Sequence, residues 1–263
     1  MKSCCVEWGQ VIYAIYNFMP VSSRYQLIDI LRGVAIVLMV VYHFCYDLNY
    51  FQLAGFDFYR DPFWLNLRTL IVSLFLGLVG ISLVLASEHG INWRRYFRRL
   101  GLLLLCAVAI SIISYLMFPG RTIFFGILHF IAFASVAGLL FVSWPKVSLV
   151  VGLGLIGLDL VYQHPLFNQA WLQWVGLMTH KPPTEDYVPV IPWFGVVLLG
   201  IFIGQQLLQR PALQGIRSWR SNIPPARGLA FAGRHSLLIY MLHQPILLGS
   251  LWLSLQILGW AYE

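Results

Sequence analysis

The chain is patterned as long unbroken apolar runs separated by short polar clusters, not as alternating positions. About 20 apolar residues in a helix rising 1.5 Å each cross the hydrocarbon core of a bilayer. Runs near that length are read at residues 27–50, 67–86, 100–118, 123–142, 147–162, 190–208 and 235–260. They predict an all-α fold, a polytopic transmembrane helix bundle of about seven spans. Ser73, Gly77 and Gly80 in the second run and Gly200-x-x-x-Gly204 in the sixth predict close helix approach. A further run at residues 11–19 is too short to cross, and it lacks a signal-peptide pattern because Glu7 precedes it and Met19-Pro20 ends it. Residues 1–23 are therefore set apart as an N-terminal extension, with Met19 an alternative initiator, ahead of a transmembrane domain over 24–263.

The first run breaks its own pattern. It carries Asp29, Arg32, His43 and Asp47. At about 100° per residue, with Asp29 at 0°, Arg32 falls near −60°, His43 near −40° and Asp47 back near 0°, one narrow arc of the helix. Arg32 and His43 are separated by roughly 16 Å along that face. A charge in hydrocarbon costs roughly 2.5 kcal/mol upward, so such a row predicts a cavity or a substrate path rather than a lipid-facing surface. Asp29 and Arg32, three apart, are placed to pair with one another. His43 is a candidate nucleophile or general base, because an imidazole titrates near neutrality, and Asp47 one turn on is placed to orient its ring or to stabilise an imidazolium. In the last run Ser236, Tyr240 and His243 share about 60° of arc, and the proline of Gln244-Pro245 frees a backbone carbonyl nearby.

Composition sharpens the class. Hydrophobic residues make up 59% of the chain and charged residues 10%, against about a quarter charged in a soluble domain. The lipid bilayer is therefore the expected partner. The net charge of +7 does not point to nucleic acid, because the basic residues cluster between apolar runs, where they set orientation. Placing the N-terminus in the cytoplasm puts twelve of the Lys and Arg residues there, including the four arginines of 94–99, and four on the far side. The same four arginines also suit a cofactor phosphate. Cys4, Cys5, Cys45 and Cys106 have no spacing that suggests zinc, so no metal site is expected.

These residues carry a resemblance. Asp29-x-x-Arg32-Gly33, with ten residues between Arg32 and His43, resembles the Arg-x10-His signature of the acyltransferase type 3 membrane enzymes. His43-Phe44-x-Tyr46-Asp47-Leu48 is more similar to bacterial members of the heparan-alpha-glucosaminide N-acetyltransferase catalytic-domain family. Gly126-Ile127-Leu128-His129, Asp186-Tyr187-Val188-Pro189, Pro192-Trp193-Phe194-Gly195, Gly233-Arg234-His235-Ser236-Leu237 and His243-Gln244-Pro245 extend it from about residue 24 to 250.

The resemblance implies an integral membrane acyltransferase, multi-pass in the bacterial inner membrane, that takes an acyl group from acyl-CoA, typically acetyl-CoA. The acceptor implied is an extracytoplasmic sugar or amino sugar. Arg32 and Asp29, with Arg234, His235 and Ser236, become candidates for the acyl-CoA end. Arg32 has an alternative role as a salt bridge pinning the helix end. His243, His129 and Tyr240, with Asp186, Tyr187 and Trp193 outside, become candidates for the acceptor. Larger members have more than seven spans, so the chain is either a reduced version or completes its site as a homo-oligomer. One-step transfer and an acyl-histidine intermediate both fit. A small transporter using the Arg/His/Asp row is the alternative from another class.

Overall fold

A computed structural model of the chain describes residues 25–117, 119–184 and 186–259, and within them there are helices and no strand. The run at 11–19, Met19, Cys4 and Cys5 lie outside the described residues. Three long helices come first: α1 (Gln26–Tyr50), α2 (Pro62–Ser87) and α3 (Trp93–Met117). Asp61 caps α2 by accepting from the Phe63 N–H at 2.9 Å, with Pro62 in the first turn where its missing N–H costs nothing. Asn92 caps α3 in the same way, accepting from the Arg95 N–H at 3.1 Å. The arginine run is therefore helical, the first two turns of α3, where the sequence pattern began that span at residue 100.

The middle of the chain is shorter-limbed. α4 (Ile127–Ala137) is followed by a 3-10 turn, and α5 (Pro145–Val161) has 17 residues. The expected fourth run at 123–142 shrinks because the serines of α3 hold Ile123 in a turn: Ser114 accepts from its N–H at 3.0 Å and Ser111 donates to its carbonyl at 2.6 Å. After a long loop come α6 (Val190–Gln209), α7 (Gln214–Ser218), α8 (Pro224–Arg234) and α9 (Ser236–Ile257). Five helices, α1, α2, α3, α6 and α9, are long and apolar enough to cross a membrane.

Glycines set the closest crossings. A Cβ at Gly80 would run into the Val197 carbonyl of α6, and one at Gly200 into the Gly77 carbonyl of α2. The small residues singled out in the second and sixth runs therefore do bring these two helices together. Gly152 of α5 and Gly195 of α6 do the same one layer out. Leu76, Val84, Phe130, Val197, Leu198 and Ile201 fill the core between these helices and α4, each exposed by 1% or less. α8 lies against α1: its small buried face of Ala226, Ala230 and Gly233 recurs at helical spacing, and Gly233 meets the Asp29 carbonyl while Gly33 meets that of Leu229. By contrast α3 presents Leu104, Val108, Ile112 and Leu116 outward, and α9 presents Leu238, Leu242 and Ile246. Such i, i+4 apolar stripes are the lipid face of a membrane helix.

Candidate functional site

One cavity of about 2410 Å³ runs the length of α1, lined from Tyr25 to Tyr50. Asp29, Arg32, His43 and Asp47 all stand on its wall, as their shared arc requires. The opposite walls come from α2, α3, the first half of α9 and the loop that contains Asp186.

At one end the cavity is basic. Arg32 donates from Nη1 to Asp29 Oδ1 at 3.3 Å and from Nη2 to Ser82 Oγ at 2.8 Å, so its carboxylate partner fixes the guanidinium without covering it. Arg95, Arg98 and Arg99 of α3 line the same space, with Arg217 and Arg220 around α7 and Arg234 at the end of α8. The α1–α8 glycine contact sets this end, because it carries Arg234, His235 and Ser236 onto the wall beside Asp29. Arg217 is tied to Glu88 at 2.9 Å and to the Tyr25 hydroxyl at 3.3 Å, which joins α7 to the ends of α1 and α2. Gln26 and Ser221 add a reciprocal pair at 2.8 and 2.7 Å.

Further along lies a compact polar cluster. The His43 and His243 rings meet edge to face with centroids 4.9 Å apart. Gln244 donates from Nε2 to Asp47 Oδ1 at 3.2 Å, across α1 and α9. His243 Nδ1 lies 2.6 Å from the Tyr240 carbonyl. A carbonyl only accepts, so that nitrogen carries the hydrogen and Nε2 of the neutral ring keeps its lone pair. His43 Nδ1, Asp47 Oδ2, His243 Nε2 and Gln244 Oε1 are buried and have no hydrogen-bond partner among the described residues. Each such atom costs about 1–3 kcal/mol unless something pairs with it. At least three of the four are acceptors, so the cluster suits a group rich in N–H or O–H donors.

The acceptor candidates divide. Asp186 Oδ2 accepts from the Ile127 N–H and from the Tyr240 hydroxyl, both at 2.9 Å, and thereby joins the long loop, the start of α4 and α9. Burial raises its carboxyl above the ordinary value, and those two hydrogen bonds oppose the shift. Tyr187 donates to the Gln173 carbonyl at 2.5 Å and holds the loop, while Trp193 packs beside the core at the cavity wall. Tyr240 is on the wall too. His129 stands apart: Nδ1 accepts from the Gly126 N–H at 3.3 Å, and Nε2 lies 3.2 Å from Ser111 Oγ, whose own hydrogen goes to Ile123. Both nitrogens are used in capping α4 and tying it to α3, and the ring is not part of the cavity lining.

Several lining residues were not singled out as site candidates in the sequence. Ser82 had no signal, lying in an apolar run. Gln244 stood beside His243 in plain view, but its partner Asp47 is 197 residues away. Arg95, Arg98 and Arg99 were legible as a cluster, and they stand on the cavity wall.

Comparison with curated proteins and with solved structures finds no match for the chain. Residues 24–245 match the family described as heparan-alpha-glucosaminide N-acetyltransferase, catalytic. That span takes in the Arg32–His43 row, the Asp186 loop and the His243-Gln244-Pro245 segment. With its five apolar helices, the chain is a membrane protein that belongs to the heparan-alpha-glucosaminide N-acetyltransferase catalytic family.

Proposed function

We propose that the protein transfers an acyl group, acetyl in the first instance, from acyl-CoA to a sugar or amino-sugar acceptor. The observation that carries this is the single cavity with arginines at one end and the His43–His243 cluster farther along α1. Guanidinium groups suit the phosphates of the CoA nucleotide. The slender pantetheine arm would then lie along α1 and bring the thioester to the histidines. No step needs a metal ion.

In the transfer, the acceptor N–H or O–H hydrogen-bonds to the lone pair of a cluster imidazole. Its heteroatom attacks the thioester carbonyl, the carbon–sulfur bond breaks, and the proton passes by way of the imidazole to the leaving CoA thiolate. The products are the acylated acceptor and CoA thiol. Asp47, with Gln244, stabilises the imidazolium that forms between these two proton transfers. Direct transfer is favoured over an acyl-histidine because the unpartnered acceptor atoms fit a donor-rich acceptor group at the same place.

Seven crossings with the N-terminus inside are part of the proposal. Supporting them, Tyr96 near the start of α3 donates to the Ser135 carbonyl near the end of α4 at 3.0 Å, so α4 returns to the arginine end. Gln205 near the end of α6 donates to the Val142 carbonyl just before α5. The arginine end would then be cytoplasmic, where acyl-CoA is found, and the acceptor would be extracytoplasmic.

The test uses purified protein in lipid nanodiscs. Acetyl-CoA is expected to raise Tm, and CoA thiol should be released in the presence of acceptor. Absence of both at saturating acetyl-CoA would reject the reading. Stable label on His43 from radiolabelled acetyl-CoA without acceptor would replace direct transfer by the two-step route.

A further inference from the structure

The cavity has a side as well as two ends. On α3, Leu105 and Ile113 line it although they are 67% and 52% exposed. On α9, the exposed Pro245 and Gly249 line it as well. Leu105, Pro245 and Gly249 lie in the middle parts of two helices that are long and apolar enough to cross the bilayer, and Ile113 lies about one turn from the end of α3. α3 packs on α4, whereas α9 packs on α1 and α8, and the cavity occupies the gap between the two pairs. At that depth exposure means contact with lipid chains, not with water.

The opening lies close to the reactive cluster in depth. His243, Gln244 and Pro245 are consecutive, and the first two carry unpartnered polar atoms while the third lines the outer part of the gap. A soluble sugar gains nothing from a hydrocarbon-facing slot beside its binding groups, and lipid chains would compete for it. A cavity of about 2410 Å³ also exceeds the roughly 300–1,000 Å³ that suffices for one small ligand, so a donor alone does not account for it. Toward the end of the gap remote from the arginine cluster, Arg121 beyond α3 and Lys181 in the long loop add positive charge to the lining.

We infer that the acceptor is carried on a lipid anchor: its hydrocarbon chain lies in the gap between α3 and α9, and its sugar reaches the His43–His243 cluster from the side. The inference rests on the acyl-transfer reading for the chemistry, but the lateral access has its own test. Protein in nanodiscs is given radiolabelled acetyl-CoA with either a total lipid extract of the producing cells or free glucosamine. Label should move into the organic phase with the lipid extract. Transfer confined to the water-soluble sugar would overturn the inference while leaving the acyl-transfer reading intact.

Closing the gap gives the second measurement. Ile113→Trp should slow transfer to lipid at least tenfold and leave the acetyl-CoA shift in Tm unchanged. Equal lipid labelling by this variant would count against the lateral route. Independently of any activity, a photoreactive benzoylphenylalanine placed at Met241 or at Leu248, both on the cavity wall, should capture phospholipid or a lipid-linked sugar in native membranes. The same group at Leu104, exposed on the outer stripe of α3, serves as the positive control. Capture at Leu104 with none at either wall position would overturn lateral access even if no acyl transfer were found.

Discussion

Two halves of the bundle solve opposite problems. Around α2, α5 and α6, glycines let backbones touch, and side chains between them are fully buried. On the other side α3 stands apart from α1 and α9, and ionisable groups of α1 and α9 face the cavity between them. Packing free energy in a membrane comes from close contact and interhelical hydrogen bonds, because lipid is as apolar as leucine. The closely packed half supplies the rigidity that allows the other half to keep buried polar atoms of His43, Asp47, His243 and Gln244 unpartnered among the described residues. Stability and chemistry are thus separated in space, and substitutions in the two halves should fail in different ways.

The largest effect is expected at the cluster. His43→Ala should lower acyl transfer by about 10²–10⁴-fold, the range of general acid–base catalysis, with little loss of Tm because the side chain borders a cavity rather than a packed core. His243→Ala should fall in the same range. If the two histidines act on one proton path, the double variant should lose little more than either single one, and kcat of the three variants measures this. Full additivity would assign them separate steps.

The opposite signature is expected at the glycine crossing. Gly200→Leu would place a side chain against the Gly77 backbone, which has no means of yielding, and should cost on the order of 1–3 kcal/mol or more. Thermal unfolding in nanodiscs should show a lower Tm, and the protein that remains folded should keep its KM for acetyl-CoA. A changed KM with unchanged Tm would dissolve the distinction between the halves.

This distinction was half legible in the sequence. Apolar run length predicted about seven spans, of which five are helices of membrane length in the structure, and the 100° arithmetic put Asp29, Arg32, His43 and Asp47 on one wall, because both are local periodicities. Glycine spacing in the second and sixth runs marked the rigid half for the same reason. What was not legible depends on remote pairing. Residues 224–234 read as a basic loop because of Arg227 and Arg234, yet the small residues Ala226, Ala230 and Gly233 form the helix face that packs on α1. His129 looked like a site residue, and only the fold supplies Ser111 and the Gly126 N–H to occupy both its nitrogens.

The basic end should yield a smaller effect than either. Arg99→Gln removes one guanidinium from a wall that holds several, so KM for acetyl-CoA should rise about tenfold, equivalent to roughly 1.4 kcal/mol, with kcat nearly unchanged. Arg95→Gln and Arg98→Gln measured alongside would rank the three. A loss in kcat alone would move Arg99 from donor binding to the transfer step.

The smallest effect is a pH-dependent difference in Tm at the seam between the halves, where Asp186 ties α4 to α9. Asp186→Ala leaves the Ile127 N–H and the Tyr240 hydroxyl unpaired and should cost about 1–3 kcal/mol. Asp186→Asn keeps an accepting oxygen of the same shape and should cost less. The two side chains differ in titration. Burial raises the Asp186 carboxyl in the folded protein, so its protonated form is the better one for the fold. Its stabilising contribution is complete below the ordinary carboxylate pKa of about 3.9 and is lost as pH rises through the raised folded value. Over that interval the Tm of the wild type should fall relative to that of Asp186→Asn, which has nothing to titrate there. Parallel Tm curves for the two proteins would mean that Asp186 holds the seam by hydrogen bonding alone, with no cost from its buried charge.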